Sequence, residues 1–163
     1  SIENAFGSGI LVNGYLLNNQ LTDFSLQAKV DGYWVANRVE AGKRPRSSMA
    51  PIMVFDQSGS LIYLTGSPGG SRIINYVAQN LVAVLDWQMD VQQAANLPRF
   101  SHRNDGLVLE QNTNLSQLVP ALLELGYQPK LADLNSGIHA IKIHKDRLEG
   151  AADPRREGIA AGH

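Results

Sequence analysis

Apolar and polar positions along the chain change period several times, and each change predicts an element. Up to about Asn19 the chain is Gly-rich and strand-like. The runs "GILV", "NGY" and "LLNN" predict two short strands around an Asn13-Gly14 turn. Asp23 to Arg46 is polar and aperiodic, carries several charges and Trp34, and reads as a long loop of the kind that is functional or mobile. "SSMAPIMVFD", "QSG" and "SLIYLTG" predict a hairpin turning at Gly59. Both of its strands are apolar on both faces, which predicts a sheet covered on both sides. From Arg72 to Trp87, Ile73, Ile74, Val77, Leu81, Val84 and Leu85 recur at helical spacing and leave one buried stripe. "DVQQAANLPR" predicts a short helix with Asp90 as N-cap, stopped before Pro98. "GLVLEQ" reads as a strand. "NLSQLVPALLELG" reads as a helix capped by Asn114 and Gly126, with Pro120 near its first turn. "IHAIKIHKDRLEGAADPR" closes the pattern with a hairpin, and "REGIAAGH" is irregular. Strands, then helices, then strands without an internal repeat predict a layered α+β arrangement.

Composition narrows the class. A chain of 163 residues with 44% hydrophobic and 18% charged positions can build one core. With 14 basic against 15 acidic residues, nothing points to a nucleic-acid face. No apolar run approaches the roughly 18 residues of a membrane span. The chain has no Cys, hence no disulfide framework and no thiolate metal site. His102, His139, His144 and His163 are scattered, without an i,i+4 pair, which argues against a metal site. The start "SIENAFGSGILV" carries no initiating Met and no signal peptide, the expectation for a chain whose beginning has been removed.

Three clusters carry candidate chemistry. "TGSPGGSR" puts Gly69 and Gly70 where a strand becomes a helix. A phosphate loop there lacks its Lys. The turn is either a tight bend where no side chain fits, or a pair of backbone N–H groups facing one point, an oxyanion hole helped by the helix start. "RPRSSMAP" sets Ser47 and Ser48 beside Arg44 and Arg46, two hydroxyls that suit a carboxylate or another small anion, or else a Ser-rich strand entry with solvated arginines. "LLNNQLTDFS" offers Gln20 and Asp23 one turn apart, so that both can reach one ligand amine, unless they only cap their own turn. There is no G-x-S-x-G elbow and no general-acid carboxylate pair.

Taken together, "FGSGI", "LLNNQLTDFS", "KRPRSSMAPIMVF", "TGSPGGSRI", "NLPRF" and "GAADPRREGIAAGH" resemble, in order and over essentially all of residues 1–163, the small subunit of γ-glutamyltranspeptidases. The resemblance implies a four-layer αββα fold of N-terminal-nucleophile hydrolases. This chain would be most of a small subunit, forming a single domain completed by a large subunit from the same self-cleaving precursor. It implies that the nucleophile, an N-terminal Thr, lies upstream of Ser1, and that Ser1 is a second hydroxyl supporting it. Gly69 and Gly70 would form the oxyanion hole. Ser47 and Ser48 would hold the α-carboxylate of the γ-glutamyl group, with Gln20 and Asp23 on its α-amine. An Arg of the large subunit would complete the carboxylate clamp, leaving Arg44 and Arg46 as structural or loop residues. Glu3 stands where many members have an Asn that touches the amine, a departure that points to altered substrate choice. The stretch Ser25–Arg46 occupies a region that can carry a lid. The implied reaction passes a γ-glutamyl group from glutathione, or a related amide, to water or to an amino acid or peptide amine. It uses no metal or organic cofactor and is periplasmic or secreted. A cephalosporin or glutaryl acylase, a poly-γ-glutamate processing enzyme, and a non-catalytic relative are the alternatives.

Overall fold

Two dipeptides with φ values open to few residues shape the N-terminal part of the chain. In the computed structural model, which describes residue 2 and residues 7–162, Asn13 (φ 49°) and Gly14 (φ 83°) both lie in the left-handed region. That is the turn that matches the twist of a tight hairpin. It joins β1 (Leu11–Val12) to β2 (Tyr15–Leu16) in the register Leu11↔Leu16 and Val12↔Tyr15. Asp31 (φ 51°) and Gly32 (φ 82°) repeat the device between β3 (Lys29–Val30) and β4 (Tyr33–Trp34). The expectation of one long loop over Asp23–Arg46 is therefore corrected: an Asp-Gly hairpin lies inside it. Its strands have only two residues each, too few for an alternating pattern to show. A 3-10 turn over Gln20–Asp23 precedes the hairpin. The chain divides into two compact units, residues 1–47 and 48–163.

The larger unit is built on a four-stranded antiparallel sheet in the order β11-β10-β6-β5. β5 (Ile52–Phe55) and β6 (Leu61–Gly66) form the expected hairpin, irregular at Val54/Phe55. β10 (His139–Ile143) pairs with both β6 and β11 (Leu148–Ala152). Pairing partners point to one face, so the row Ile52, Thr65, Ala140, Ala151 faces the same way. The next row, Met53, Leu64, Ile141, Gly150, faces the other. The first row packs under helices. In the second, Met53 is 65% and Ile141 41% exposed. The covering expected on both faces is supplied by helices on one face, whereas on the other the C-terminal tail approaches the β10–β11 side, where a Cβ on Gly150 would lie 3.1 Å from Ala160 Cβ.

Helix α1 (Ile73–Leu81) buries Ile73, Tyr76, Val77 and Asn80, at i, i+3, i+4, i+7 spacing. The stripe expected from the sequence is corrected in part: Ile73, Val77 and Val84 are buried, but Ile74 (58%) and Leu85 (41%) are exposed, and Tyr76 and Asn80 complete the buried face. A 3-10 turn over Gly70–Arg72 leads into it, and a π-helical turn over Val82–Asp86 ends it. Asn80 accepts from Tyr63 Oη (2.6 Å) and Thr65 Oγ1 (2.9 Å), which ties the helix to β6 across an otherwise apolar core. α2 (Val91–Asn96) is capped by Asp90, whose Oδ1 accepts from the N–H groups of Gln92 and Gln93. It packs on β10 and β11.

A second sheet has the order β7 (Phe100–Arg103), β8 (Gly106–Glu110), β9 (Lys130–Ala132), with β8 and β9 parallel. β7 and β9 were absent from the expected elements. A 3-10 turn (Asn114–Leu118) runs into α3 (Val119–Glu124), with Pro120 in the first turn and Gly126 (φ 86°) just beyond the end, as expected. The expected cap Asn114 is corrected to Thr113, whose Oγ1 accepts from Leu115 N. Thr113 has the extended φ, ψ that a cap needs (−124°, 170°).

Candidate functional site

Ser67 to Gly70 bridge the end of β6 and the head of α1, and the backbone there follows a path that only glycine takes without strain. Gly69 has φ 135°, and a Cβ on it would lie 2.8 Å from Tyr76 Cε2. The buried Tyr76 ring thus forms the wall on which the turn rests. Burial pushes its phenol above the ordinary value, so the wall is neutral. Gly70 has φ 60° but open space where its Cβ would be. Gly69 O accepts from Arg72 N (3.3 Å), which starts the 3-10 turn. Neither the Gly69 N–H nor the Gly70 N–H has a partner among the described residues. They are two free donors at the positive end of a helix.

A layer behind this turn fixes it. Ser67 Oγ donates to Pro68 O (2.6 Å) and accepts from Gly137 N (3.1 Å). Gly137 is held to glycine because a Cβ would meet Arg156 Cδ at 2.6 Å and Pro68 Cγ at 2.7 Å. Arg156 in turn donates to Ser136 O (3.3 Å) and Asn135 O (3.1 Å). These residues come from the far end of the chain, and no local pattern announces them.

Beneath that layer lies a buried ionic group. Arg99 and Asp153 have no exposed side-chain surface. Arg99 donates to Ser136 Oγ (3.1 Å), Ala95 O (2.6 Å) and Asp153 Oδ2 (3.4 Å), and Ser136 Oγ donates to Asp153 Oδ2. Arg155 makes a bidentate pair with Glu110 (2.6 and 2.8 Å) and bonds Asp153 Oδ1 (2.9 Å). Burial pulls the Asp153 carboxyl upward. Hydrogen bonds from Ser136, from the Arg155 side chain and from the Arg155 and Ile138 N–H groups outweigh it and hold the group below its ordinary value. Burial pulls Arg99 down against the attraction of Asp153. Arg99 and Arg155 lie in the "NLPRF" and "ADPRR" stretches, whose residues carried no assigned role. Nothing in a Pro-Arg dipeptide distinguishes a buried arginine from a solvated one.

In the unit of residues 1–47, the 3-10 turn brings Gln20 and Asp23 together. Gln20 Nε2 donates to Asp23 Oδ2 (2.7 Å), and Asn18 Oδ1 accepts from Gln20 N (3.0 Å). Both side chains are half-buried. Asn37 Nδ2 donates to Asp23 O (2.6 Å), and Asn37 Oδ1 accepts from Arg46 N (2.9 Å). On the hairpin, Lys29 Nζ and Arg38 Cζ stand 4.3 and 4.9 Å from the Trp34 ring centre. Ser47 is exposed and Ser48 half-buried, and the boundary between the units falls between them. Arg44 and Arg46 are exposed. Ser1 and Glu3 lie outside the described residues. Of the histidines, His144 pairs with Glu149 (2.7 Å) and His102 stands edge-on to Tyr127. Among the described residues no group of three or more His, Cys, Asp or Glu is arranged to hold a metal ion.

The family model for Gamma-glutamyltranspeptidase matches residues 1–163. The glutathione hydrolase proenzyme of Escherichia coli K12 is 38% identical over 175 residues, taking in 100% of this chain and 30% of that protein. The glutathione hydrolase proenzyme of Pseudomonas aeruginosa is 34% identical over 166 residues, covering 94% of this chain and 30% of its own length. Among solved structures, the T380A mutant of Helicobacter pylori gamma-glutamyltranspeptidase matches with a TM-score of 0.82 at 32% identity, over 96% of this chain and 90% of that one. The chain thus spans about 30% of the length of these curated relatives.

Proposed function

Because the chain belongs to the γ-glutamyltranspeptidase family, we propose that it supplies the substrate-receiving groups of an enzyme that hydrolyses or transfers the γ-glutamyl group of glutathione and related amides. The observation that carries the reading is the pair of unpartnered N–H groups on Gly69 and Gly70, held at the head of α1. In this reading an N-terminal Thr hydroxyl, upstream of Ser1 and supported by the Ser1 hydroxyl, attacks the γ-carbonyl carbon. The Thr's own α-amine takes its proton. The carbonyl oxygen becomes an oxyanion and receives hydrogen bonds from Gly69 and Gly70. The C–N bond breaks, the amine leaves with the proton, and a γ-glutamyl ester remains on the Thr. Water or an acceptor amine then attacks the ester by the reverse sequence. Acyl transfer through a hydroxyl of this kind needs neither metal nor organic cofactor.

Recognition of the γ-glutamyl end divides by charge. Asp23 and Gln20, already paired, offer acceptors to the α-ammonium, and Glu3 adds a carboxylate to the same task. Ser47 and Ser48 offer hydroxyls to the α-carboxylate, with an Arg of the large subunit as its counter-charge. That large subunit, from the same proenzyme precursor, is also the partner we assign to the outer face of the four-stranded sheet. There Met53 and Ile141 are exposed apolar side chains of the outer row. The test is the ratio of turnover on L-γ-glutamyl-p-nitroanilide to that on glutaryl-p-nitroanilide, which lacks the α-amine. A strong preference for the γ-glutamyl compound is expected. Equal or better turnover of the glutaryl compound overturns the reading in favour of an acylase.

A further inference from the structure

Among the described residues of the stretch 1–47, the side chain of Asn37 bonds two distant backbone segments at once. Asn18, Thr22 and Ser25 close their side-chain hydrogen bonds within two or three positions of themselves. Asn37 does not. Its Nδ2 reaches Asp23 O, fourteen positions away, at 2.6 Å. Its Oδ1 receives Arg46 N, nine positions away, at 2.9 Å. Its backbone O receives Ser25 N at 2.8 Å. One half-buried amide therefore joins the turn that carries Asp23 to the residue just before Ser47.

We propose that Asn37 is a positioning residue for donor recognition, setting the spacing between the amine-holding Asp23 and the carboxylate-holding Ser47. The inference rests on the roles proposed above for those two residues. An α-amino acid head carries its ammonium and its carboxylate on the same carbon, so the groups that hold them must keep a fixed separation, to within about 0.5 Å in a well-formed site. The covalent path from Asp23 to Ser47 cannot supply that tolerance. It runs through a small hairpin with an Asp31-Gly32 turn and a second left-handed glycine, Gly42 (φ 75°). The amide of Asn37 short-cuts the path. It also anchors the hairpin end that carries Trp34 to the same two points, so that motion of the hairpin need not pass into Asp23 or Ser47. A Gln at this position is too long for both bonds, and an Asp keeps the acceptor for Arg46 N but faces Asp23 O with a second acceptor.

The test uses the processed enzyme that contains this chain, with L-γ-glutamyl-p-nitroanilide as donor, and compares Asn37→Asp in the wild-type and in an Asp23→Asn background. In the wild-type background, Asn37→Asp is expected to raise donor KM about tenfold while kcat stays within about threefold. In the Asp23→Asn background, where there is no longer a carboxylate to position, the same substitution is expected to change KM by less than about twofold. A merely structural role predicts equal losses in both backgrounds, and that result overturns the proposal. So does an unchanged KM in Asn37→Asp when Asp23→Asn itself raises KM. If Asp23→Asn alone leaves donor KM unchanged, the reading of Asp23 as the amine site fails and takes the proposal with it. Should Asn37→Asp not mature, Asn37→Ala, which removes both side-chain bonds without adding charge, is read by the same criteria.

Discussion

At the scale of single residues, the two adjacent glycines are needed for different reasons. Gly69 combines φ 135° with a Tyr76 ring carbon 2.8 Å from any added Cβ, whereas Gly70 combines φ 60° with open space. An alanine at Gly70 meets only the left-handed penalty of about 1–2 kcal/mol. An alanine at Gly69 has to move the backbone or the buried ring. Gly69→Ala is therefore expected to lower kcat on a γ-glutamyl donor by about 10²–10³-fold, the usual loss when an oxyanion donor is misplaced. Gly70→Ala is expected to do less harm. Steady-state kinetics on both variants checks the order, and a Gly70→Ala variant slower than Gly69→Ala contradicts it. The sequence made the Gly-Gly turn conspicuous but left its purpose open between a bend and a donor pair. What the turn rests on, Tyr76 in front and Ser67, Gly137 and Arg156 behind, was illegible, because those contacts close across as many as seventy positions.

At the scale of elements, α2, β7, β8 and β11 converge on a largely buried ionic network of Arg99, Asp153, Arg155 and Glu110. Buried ion pairs seldom add net stability against an apolar substitute, but breaking one by removing a single partner costs about 3–5 kcal/mol. Asp153→Asn is thus expected to destabilise the protein by an amount of that order, measured by thermal or denaturant unfolding. The pH dependence has a definite sign. The folded-state Asp153 value lies below its ordinary 3.8. Its contribution is therefore complete above that value and disappears as the pH falls through the depressed one. The stability gap between wild type and Asp153→Asn should accordingly narrow on acidification below about pH 4. A gap that widens there contradicts the assignment. Elements with a long period were legible: α1, α2 and both hairpins of the larger sheet appear where their patterns predict. The two-residue strands of the Asp31-Gly32 hairpin and the three-residue β9 were not, since too few residues alternate to show a period.

At the scale of the whole molecule, the chain has the α+β fold of γ-glutamyltranspeptidases, and the four-stranded sheet is lined on one face by its own helices. The outer row, where the tail approaches Gly150 but Met53 and Ile141 stay exposed, accounts for strands that read as apolar on both faces: the sequence records more covering than this chain itself supplies. The same division holds for the chemistry we propose. The chain contributes an oxyanion turn, hydroxyls and acceptors, and the attacking hydroxyl comes from outside it. Mapping the covalent intermediate tests that division most directly. The processed enzyme is quenched during turnover of a γ-glutamyl donor, and its peptides are searched by tandem mass spectrometry for the γ-glutamyl adduct. The expected result is an adduct on the hydroxyl of an N-terminal Thr that precedes Ser1, with residues 1–163 unmodified. An adduct on Ser1, Ser47, Ser48 or Ser67 would contradict it.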